Sequence, residues 1–244
     1  MDKANKELLK YLEEFLTEAR RNRIQEILKW RTRHITVVLE DLIDPHNASA
    51  CLRSAEACGL QDVHIIENRH AFQVKTGVSM GSAHWLTLHQ YQSGSLNSSS
   101  TQSGSSFSAT RECFQTLRNK GYTILATSPH ESSISLPDVS LGKPVAVVFG
   151  SEKDGISPVA REEADHCLRI PMYGFTESFN ISVCAAISLY DLSSRLRNSR
   201  VDWQLSSEEA LELRLHWARH SLKRSDLLEK QFLSRVNANI EKMQ

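Results

Sequence analysis

Apolar residues first recur at helical spacing. Leu8, Leu12, Phe15, Leu16 and Ala19 share one face and predict an amphipathic helix over about residues 3–20. A second, basic helix follows over about 20–30. The period then changes. "ITVVLEDL" (35–42) is an almost unbroken apolar run that predicts a buried strand, and a helix from about Asn47 to Cys58 follows it and ends at Gly59. Further strands are expected at 63–67 ("VHIIE"), 85–91 ("WLTLHQY"), 122–128 ("YTILATS"), 144–150 ("PVAVVFG") and 166–171 ("HCLRIP"). Helical pieces near 71–80, 109–121 and 157–164 separate them, and a long helix over 180–197 closes the core. Strands rich in Val, Ile and Leu that alternate with helices predict an α/β fold, a mostly parallel sheet with helices on both faces.

Two stretches fall outside that alternation. "SGSLNSSSTQSGSSFS" (93–108) has too few apolar side chains to join a core and is expected to be a flexible Ser-rich surface insertion. Beyond Trp203 a helical stretch over 206–233 opens on Ser206-Ser207-Glu208-Glu209, the pattern of a capped start. It carries an apolar stripe of Leu211, Leu215, Leu222, Leu228 and Phe232. The expected organisation is an N-terminal helical extension (1–33), an α/β domain (34–200) and a C-terminal helical extension (201–244).

With 244 residues, 40% of them apolar, the chain can bury a full core. Its 29 basic and 29 acidic side chains balance, which leaves nucleic-acid binding open because local patches attract phosphate. The second helix is such a patch: "RRNRIQEILKWRTRH" sets Arg20, Arg21, Arg23, Lys29, Arg31 and Arg33 against a single Glu26. Alone, such a run reads better as a solvated face. Five cysteines lack paired or metal-ligand spacing and read as free thiols in a reducing compartment, so no metal site is expected. No apolar run reaches membrane-spanning length, and the expected location is the cytoplasm.

Three motifs carry candidate chemistry. "PHNASACLRSAEACG" (45–59) offers Pro45, Asn47 as a favoured helix cap, and Arg53 on a helix otherwise rich in small residues. The Arg53 stem either lies over apolar surface or presents its guanidinium to a phosphate or carboxylate. "VVFGSEKDGIS" (147–157) is a strand ending at Gly150, then a tight turn with Glu152 and Gly155, where open α/β sheets bind ligands. "IPMYGFTESFNISVCAA" (170–186) sets Glu177, Ser178 and Asn180 before the last core helix, where Ser178 or Asn180 could cap it. No strand is followed by GxGxxG, so a dinucleotide-binding oxidoreductase is a poor fit.

These three motifs, in this order, resemble the SpoU family of RNA ribose 2′-O-methyltransferases over about Arg20 to Arg197, most closely its branch that acts on tRNA guanosine. The resemblance implies an α/β core whose C-terminal segment threads a loop as a trefoil knot. It also implies S-adenosylmethionine as cofactor, a homodimer, no metal, and methylation of a tRNA ribose, expected at the D-loop guanosine 18. By the same resemblance Asn47, Arg53, Glu152, Ser178 and Asn180 match catalytic positions, and Thr127, Gly150, Ile170 and Phe179 match cofactor-lining ones. Phe179 stands where the family usually carries Leu, and Glu177 where close relatives often carry Gln. Arg23 matches a tRNA contact with Arg20, Arg21, Arg31 and Arg33 beside it, and Arg195 and Arg197 match a second basic cluster. The alternatives are a ribosomal RNA methyltransferase of the same family and a non-catalytic RNA-binding module.

Overall fold

The computed structural model describes residues 3–75, 77, 81–93, 108–128 and 133–241. They form two compact units: Thr32–Trp203 is one, and the other joins the two chain ends, residues 1–31 and 204–244.

The larger unit is an α/β sheet. In chain order its elements are β1 (Ile35–Glu40), α3 (Pro45–Ala57), β2 (Asp62–Glu67), β3 (Thr87–Gln92), α4 (Ser108–Asn119), β4 (Thr123–Thr127), β5 (Ile134–Ser135), β6 (Val145–Phe149), α5 (Pro158–Glu163), β7 (His166–Arg169) and α6 (Ile181–Arg197). The seven strands run β3-β2-β1-β6-β4-β7-β5, and every pairing is parallel. Alternate side chains of one strand enter different cores. Val37 and Val147 pack with Cys51 and Leu52 of α3 and Leu189 and Leu192 of α6, while Val38 and Val148 pack with Phe114 and Leu117 of α4 and Ala160 of α5. Burial on both faces is why β1 and β6 read as unbroken apolar runs.

Several expected boundaries move. Asp44 rather than Asn47 caps α3: its carboxylate accepts from the His46 amide at 2.9 Å, and Pro45 fills the first turn, where its missing N–H costs nothing. The short strand β5 and a 3₁₀ turn at Leu136–Asp138 were not expected. Residues 71–75 of the expected helical piece are irregular, and most of its remainder lies outside the described residues. So does the Ser-rich insertion, apart from Ser93 and Ser108.

The second unit is helical: α1 (Lys3–Glu14), α2 (Glu18–Leu28), α7 (Ser207–Ser221) and α8 (Ser225–Glu241). The first helix stops earlier than its periodicity predicts, because the Thr17 hydroxyl accepts from the Arg20 amide at 3.2 Å and starts α2 instead. The expected capped start at Ser206 is present as a reciprocal capping box with Glu209. Leu9, Leu12, Leu213 and Trp217 are buried in this unit, and Arg214 grips Glu13 through two bonds of 2.5 and 2.8 Å. Among the described residues no helix is long and apolar enough to cross a membrane.

The β2–β3 edge carries a buried titratable cluster. His64 Nδ1 lies 3.0 Å from the Tyr91 hydroxyl, and its ring stacks on His89 at 4.5 Å. His89 Nε2 and Arg33 Nε meet the Asp62 carboxylate at 3.0 and 3.2 Å. Burial, then the neighbouring His89, push His64 from its ordinary 6.5 down to about 3. The native state therefore refuses a proton that the unfolded chain accepts, so stability is complete above about pH 6.5 and falls as pH drops towards 3. Urea midpoints measured from pH 8 to pH 4 will decline below about pH 6.5. The slope approaches about 1.4 kcal/mol per pH unit and flattens in His64→Gln, and an unchanged slope in that variant would contradict the assignment.

Candidate active site

Three of the parallel strands, β4, β6 and β7, end side by side, and their carboxyl ends open into a cavity of about 520 Å³. Thr127 at the end of β4, Gly150 after β6 and Ile170 after β7 all line it. The Thr127 hydroxyl donates to the Val148 carbonyl at 2.9 Å, which fixes that strand end. Leu168, Ile170, Ile181 and Cys184 give the cavity an apolar wall, while Glu152, Glu177, Ser178 and Asn180 give it a polar rim.

The loop after β6 is a tight hairpin. Ser151 and Gly155 exchange backbone bonds of 2.9 and 3.0 Å, and Gly155 sits at φ +67°, a conformation that favours glycine. A Cβ on Gly150 would stand 2.1 Å from the Gly155 carbonyl, so the close approach of the two backbones requires glycine there. This hairpin presents Glu152. One carboxylate oxygen accepts from the Ile43 amide at 3.1 Å, and the other accepts from the Asp44 amide at 3.3 Å and from Asn47 Nδ2 at 2.9 Å. Asn47 Oδ1 in turn accepts from Asn180 Nδ2 at 3.3 Å. Asn180 Oδ1 caps α6 by accepting from the Ser182 amide at 2.9 Å. The three sequence motifs are thus joined by a single run of side chains, Glu152–Asn47–Asn180.

Of the nine expected catalytic and cofactor-lining residues, Thr127, Gly150, Glu152, Ile170, Ser178, Phe179 and Asn180 all line the cavity. Asn47 touches it through its bonds to Glu152 and Asn180. Arg53 does not: it is exposed on α3 and is absent from the lining of its own chain's cavity. The hydrogen bonds of Asn47 go to Glu152 and Asn180, not to Arg53 as an orienting role would need.

The basic positions divide. Arg20 and Arg23 are exposed on α2. Arg21 is half-buried and donates to the Glu13 carbonyl at 2.8 Å. Arg31 is 1% exposed, with its guanidinium 5.2 Å from the Trp217 ring centre, so the expectation of an RNA-facing Arg31 is corrected. Arg33 is held by Asp62. Arg195 donates to Asp191 and to the carbonyls of Val139 and Leu136 at 2.8, 2.8 and 2.9 Å. Arg197 donates to the carbonyls of Ser193 and Cys58. Both forks secure the end of α6, and Arg195 keeps 32% of its side chain exposed.

Sequence reasoning missed Asp44, although an Asp before a helix-starting Pro signals a cap. It also missed Cys184 as a wall residue. Burial pushes that thiol up to about 11, and the fully buried Cys51 up to about 12, so both stay protonated and act as small apolar groups.

Residues 34–190 match the SpoU rRNA Methylase family. The chain is 36% identical over 218 residues to a tRNA (guanosine(18)-2′-O)-methyltransferase of Borreliella burgdorferi, covering 89% of this chain and 93% of that protein. The crystal structure of the A. aeolicus TrmH/SpoU tRNA modifying enzyme superposes with a TM-score of 0.69 at 27% identity, over 85% of this chain and 98% of that one. The SpoU methyltransferase AviRb of Streptomyces viridochromogenes, solved with the cofactor AdoMet, shares the fold with a TM-score of 0.55 at 20% identity, over 72% of this chain and 62% of that one.

The Glu152 tie is directly testable. In Glu152→Gln one acceptor oxygen becomes a donor, so the Ile43 bond is lost if the amide nitrogen takes that oxygen's place, and the Asp44 and Asn47 bonds if it takes the other. Amide exchange at Ile43 or at Asp44, whichever faces the new amide nitrogen, will speed by about tenfold, the effect of losing roughly 1.4 kcal/mol, while β1 and β6 stay protected. Unchanged exchange at those two amides would contradict the role given to Glu152.

Proposed function

The chain belongs to the SpoU rRNA methylase family, and on that premise we propose that it methylates a ribose 2′-hydroxyl of tRNA, at guanosine 18, using S-adenosylmethionine. The observation that carries this reading is the convergence of the three motifs on one cavity at the carboxyl end of the sheet. The volume lies in the range of small-molecule sites, and an apolar wall facing a polar rim suits a ligand with a flat heterocycle and charged ends. Thr127, Gly150, Ile170 and Phe179 would hold the cofactor. A knotted C-terminal segment agrees with what lies between β7 and α6: Ile170, Ser178 and Asn180 line the same cavity as Thr127 after β4 and Gly150 after β6, and α6 then packs on α3.

When bound, S-adenosylmethionine supplies an electrophilic methyl group, and transfer is an in-line displacement by the ribose oxygen. The residues of the chain align and stabilise. Glu152, Asn47 and Asn180 fix the loops that shape the site, and Ser178 positions cofactor or substrate. Arg53 stabilises the negative charge that develops on the ribose oxygen and grips a neighbouring phosphate. A guanidinium holds its proton too tightly to be the base, so the proton leaves to phosphate or water. Arg53 reaches a cavity across the interface of a homodimer. Two observations support that reading: Arg53 lies outside the cavity lining of its own chain, and Tyr173, Phe175, Val183 and Tyr190 expose 97, 109, 44 and 72% of their surface on and beside the third motif. Arg20 and Arg23 offer phosphate contacts. No metal takes part in this scheme, and a cytoplasmic location agrees with five free cysteines.

Transfer of labelled methyl to unmodified tRNA and rRNA transcripts, followed by mapping of the product nucleotide, tests the assignment. A 2′-O-methylguanosine in the tRNA D-loop is expected; methyl on a base, or on rRNA alone, would overturn it. Arg53→Lys keeps the charge and loses the planar fork, and will lower kcat by a hundredfold or more, in line with the loss of one preorganised donor pair. Near-normal turnover would contradict the fork geometry. Arg20→Ala and Arg23→Ala will each weaken tRNA binding and reduce the slope of log Kd against log salt by about one unit.

A further inference from the structure

A second cavity, of about 450 Å³, adjoins the Glu152 hairpin and is lined by Arg69, Asp154, Ile156, Ser157, Pro158, Arg161 and Glu162. It shares Asp154, Ile156 and Arg161 with the larger cavity, so an occupant of one abuts the occupant of the other. Its chemistry is mixed. A bare phosphate would meet two carboxylates, and an apolar ligand would meet four charges.

Two features hold these groups in place. Asp154 rides on the hairpin, where its amide donates to the Ser151 hydroxyl at 3.0 Å. Arg69 is anchored by Asp41, whose carboxylate accepts from the amides of Asn68 and Arg69 at 2.8 Å each and meets Arg69 Nε at 3.5 Å. Asp41 does this at φ +51°, the one non-glycine residue with positive φ among those described. A buried side chain kept in that sparsely populated conformation marks a place where the surrounding structure imposes a geometry. The buried Glu40 carboxylate accepts from the Ser157 amide and hydroxyl at 2.8 and 2.7 Å and fixes that part of the lining.

We propose that this cavity receives the base of the nucleotide whose ribose is methylated and reads it as guanine, with Arg69 as donor to O6 and N7 and Asp154 as acceptor from N1 and the 2-amino group. The inference rests on the methyltransferase reading above and assigns its base specificity. Arg69 Nη1 and Asp154 Oδ2 face each other at 3.3 Å with 40 and 48% of their side chains exposed, and an ion pair so exposed holds weakly. Guanine replaces it with matched bonds on both sides, since it carries an acceptor pair on one edge and a donor pair on the next. Adenine presents an amino donor where the guanidinium also donates, and it is rejected. Ile156 and Pro158 offer apolar surface to the ring faces, and Arg161 stands between base and cofactor.

The experiment uses the full-length protein and tRNA carrying guanosine, inosine (no 2-amino group) or 7-deazaguanosine (no N7) at the methylated position. Wild-type kcat/KM will fall roughly tenfold or more with each analogue, the effect of losing part of a paired contact. Arg69→Gln will lose sensitivity to 7-deazaguanosine, and Asp154→Asn sensitivity to inosine, each with a raised KM for guanosine tRNA. For Arg69→Gln the Kd for S-adenosylmethionine will stay within about twofold, because Arg69 lines only the second cavity. Indifference of the wild type to both analogues, or variants that keep its full sensitivity, would overturn the proposal. A wild type that methylates no RNA would overturn the methyltransferase reading itself.

Discussion

The Glu152 carboxylate is the constraint on which the site depends. Its two oxygens accept from two backbone amides and one side-chain amide of a segment more than a hundred positions earlier in the chain. Without it the loop after β1 and the loop after β6 would each be an ordinary connection. Bonds to an ionised acceptor are stronger than neutral ones, and here one charge organises three donors. Asn47 extends the tie to the head of α6, so the geometry of the cavity rim is set by a chain of polar contacts rather than by apolar packing.

Under that rim the sheet supplies the rigid part. Strands buried on both faces leave little freedom at their carboxyl ends, and the loops that leave them can be short and strained. Glu40 continues the same logic below the surface. It is fully buried, and its bonds to Ser157 and Thr110 join β1 to the starts of α4 and α5. The polar groups at this edge of the sheet therefore form two tiers, an exposed one around Glu152 and a buried one around Glu40.

The period of apolar residues made the sheet and most helices legible, because burial on both faces or on one stripe writes itself directly into the pattern. Asn47 was harder. Its residue type suits a cap, but Asp44 had already taken that place, and only the fold brings Glu152 to its amide. The arginines show the limit of reading charge along a chain. Arg23 and Arg31 look alike in sequence, yet one is solvated and the other lies beneath Trp217. Arg195 reads as a surface cation in sequence, and only the fold brings the carbonyls of Val139 and Leu136 to its fork. The second cavity left no sequence signal, since Arg69, Asp154 and Arg161 belong to no shared motif and meet only through the hairpin.

The helical unit draws on both ends of the chain, with the α/β sheet inserted between them. During synthesis Leu9, Leu12 and Leu16 emerge early, while Leu213 and Trp217, buried in the same unit, emerge only after the whole intervening sheet has been translated. At ordinary elongation rates that gap lasts roughly ten to thirty seconds. A nascent chain therefore carries an uncovered greasy stripe for far longer than a helix takes to form, beside the charges interleaved along the first two helices.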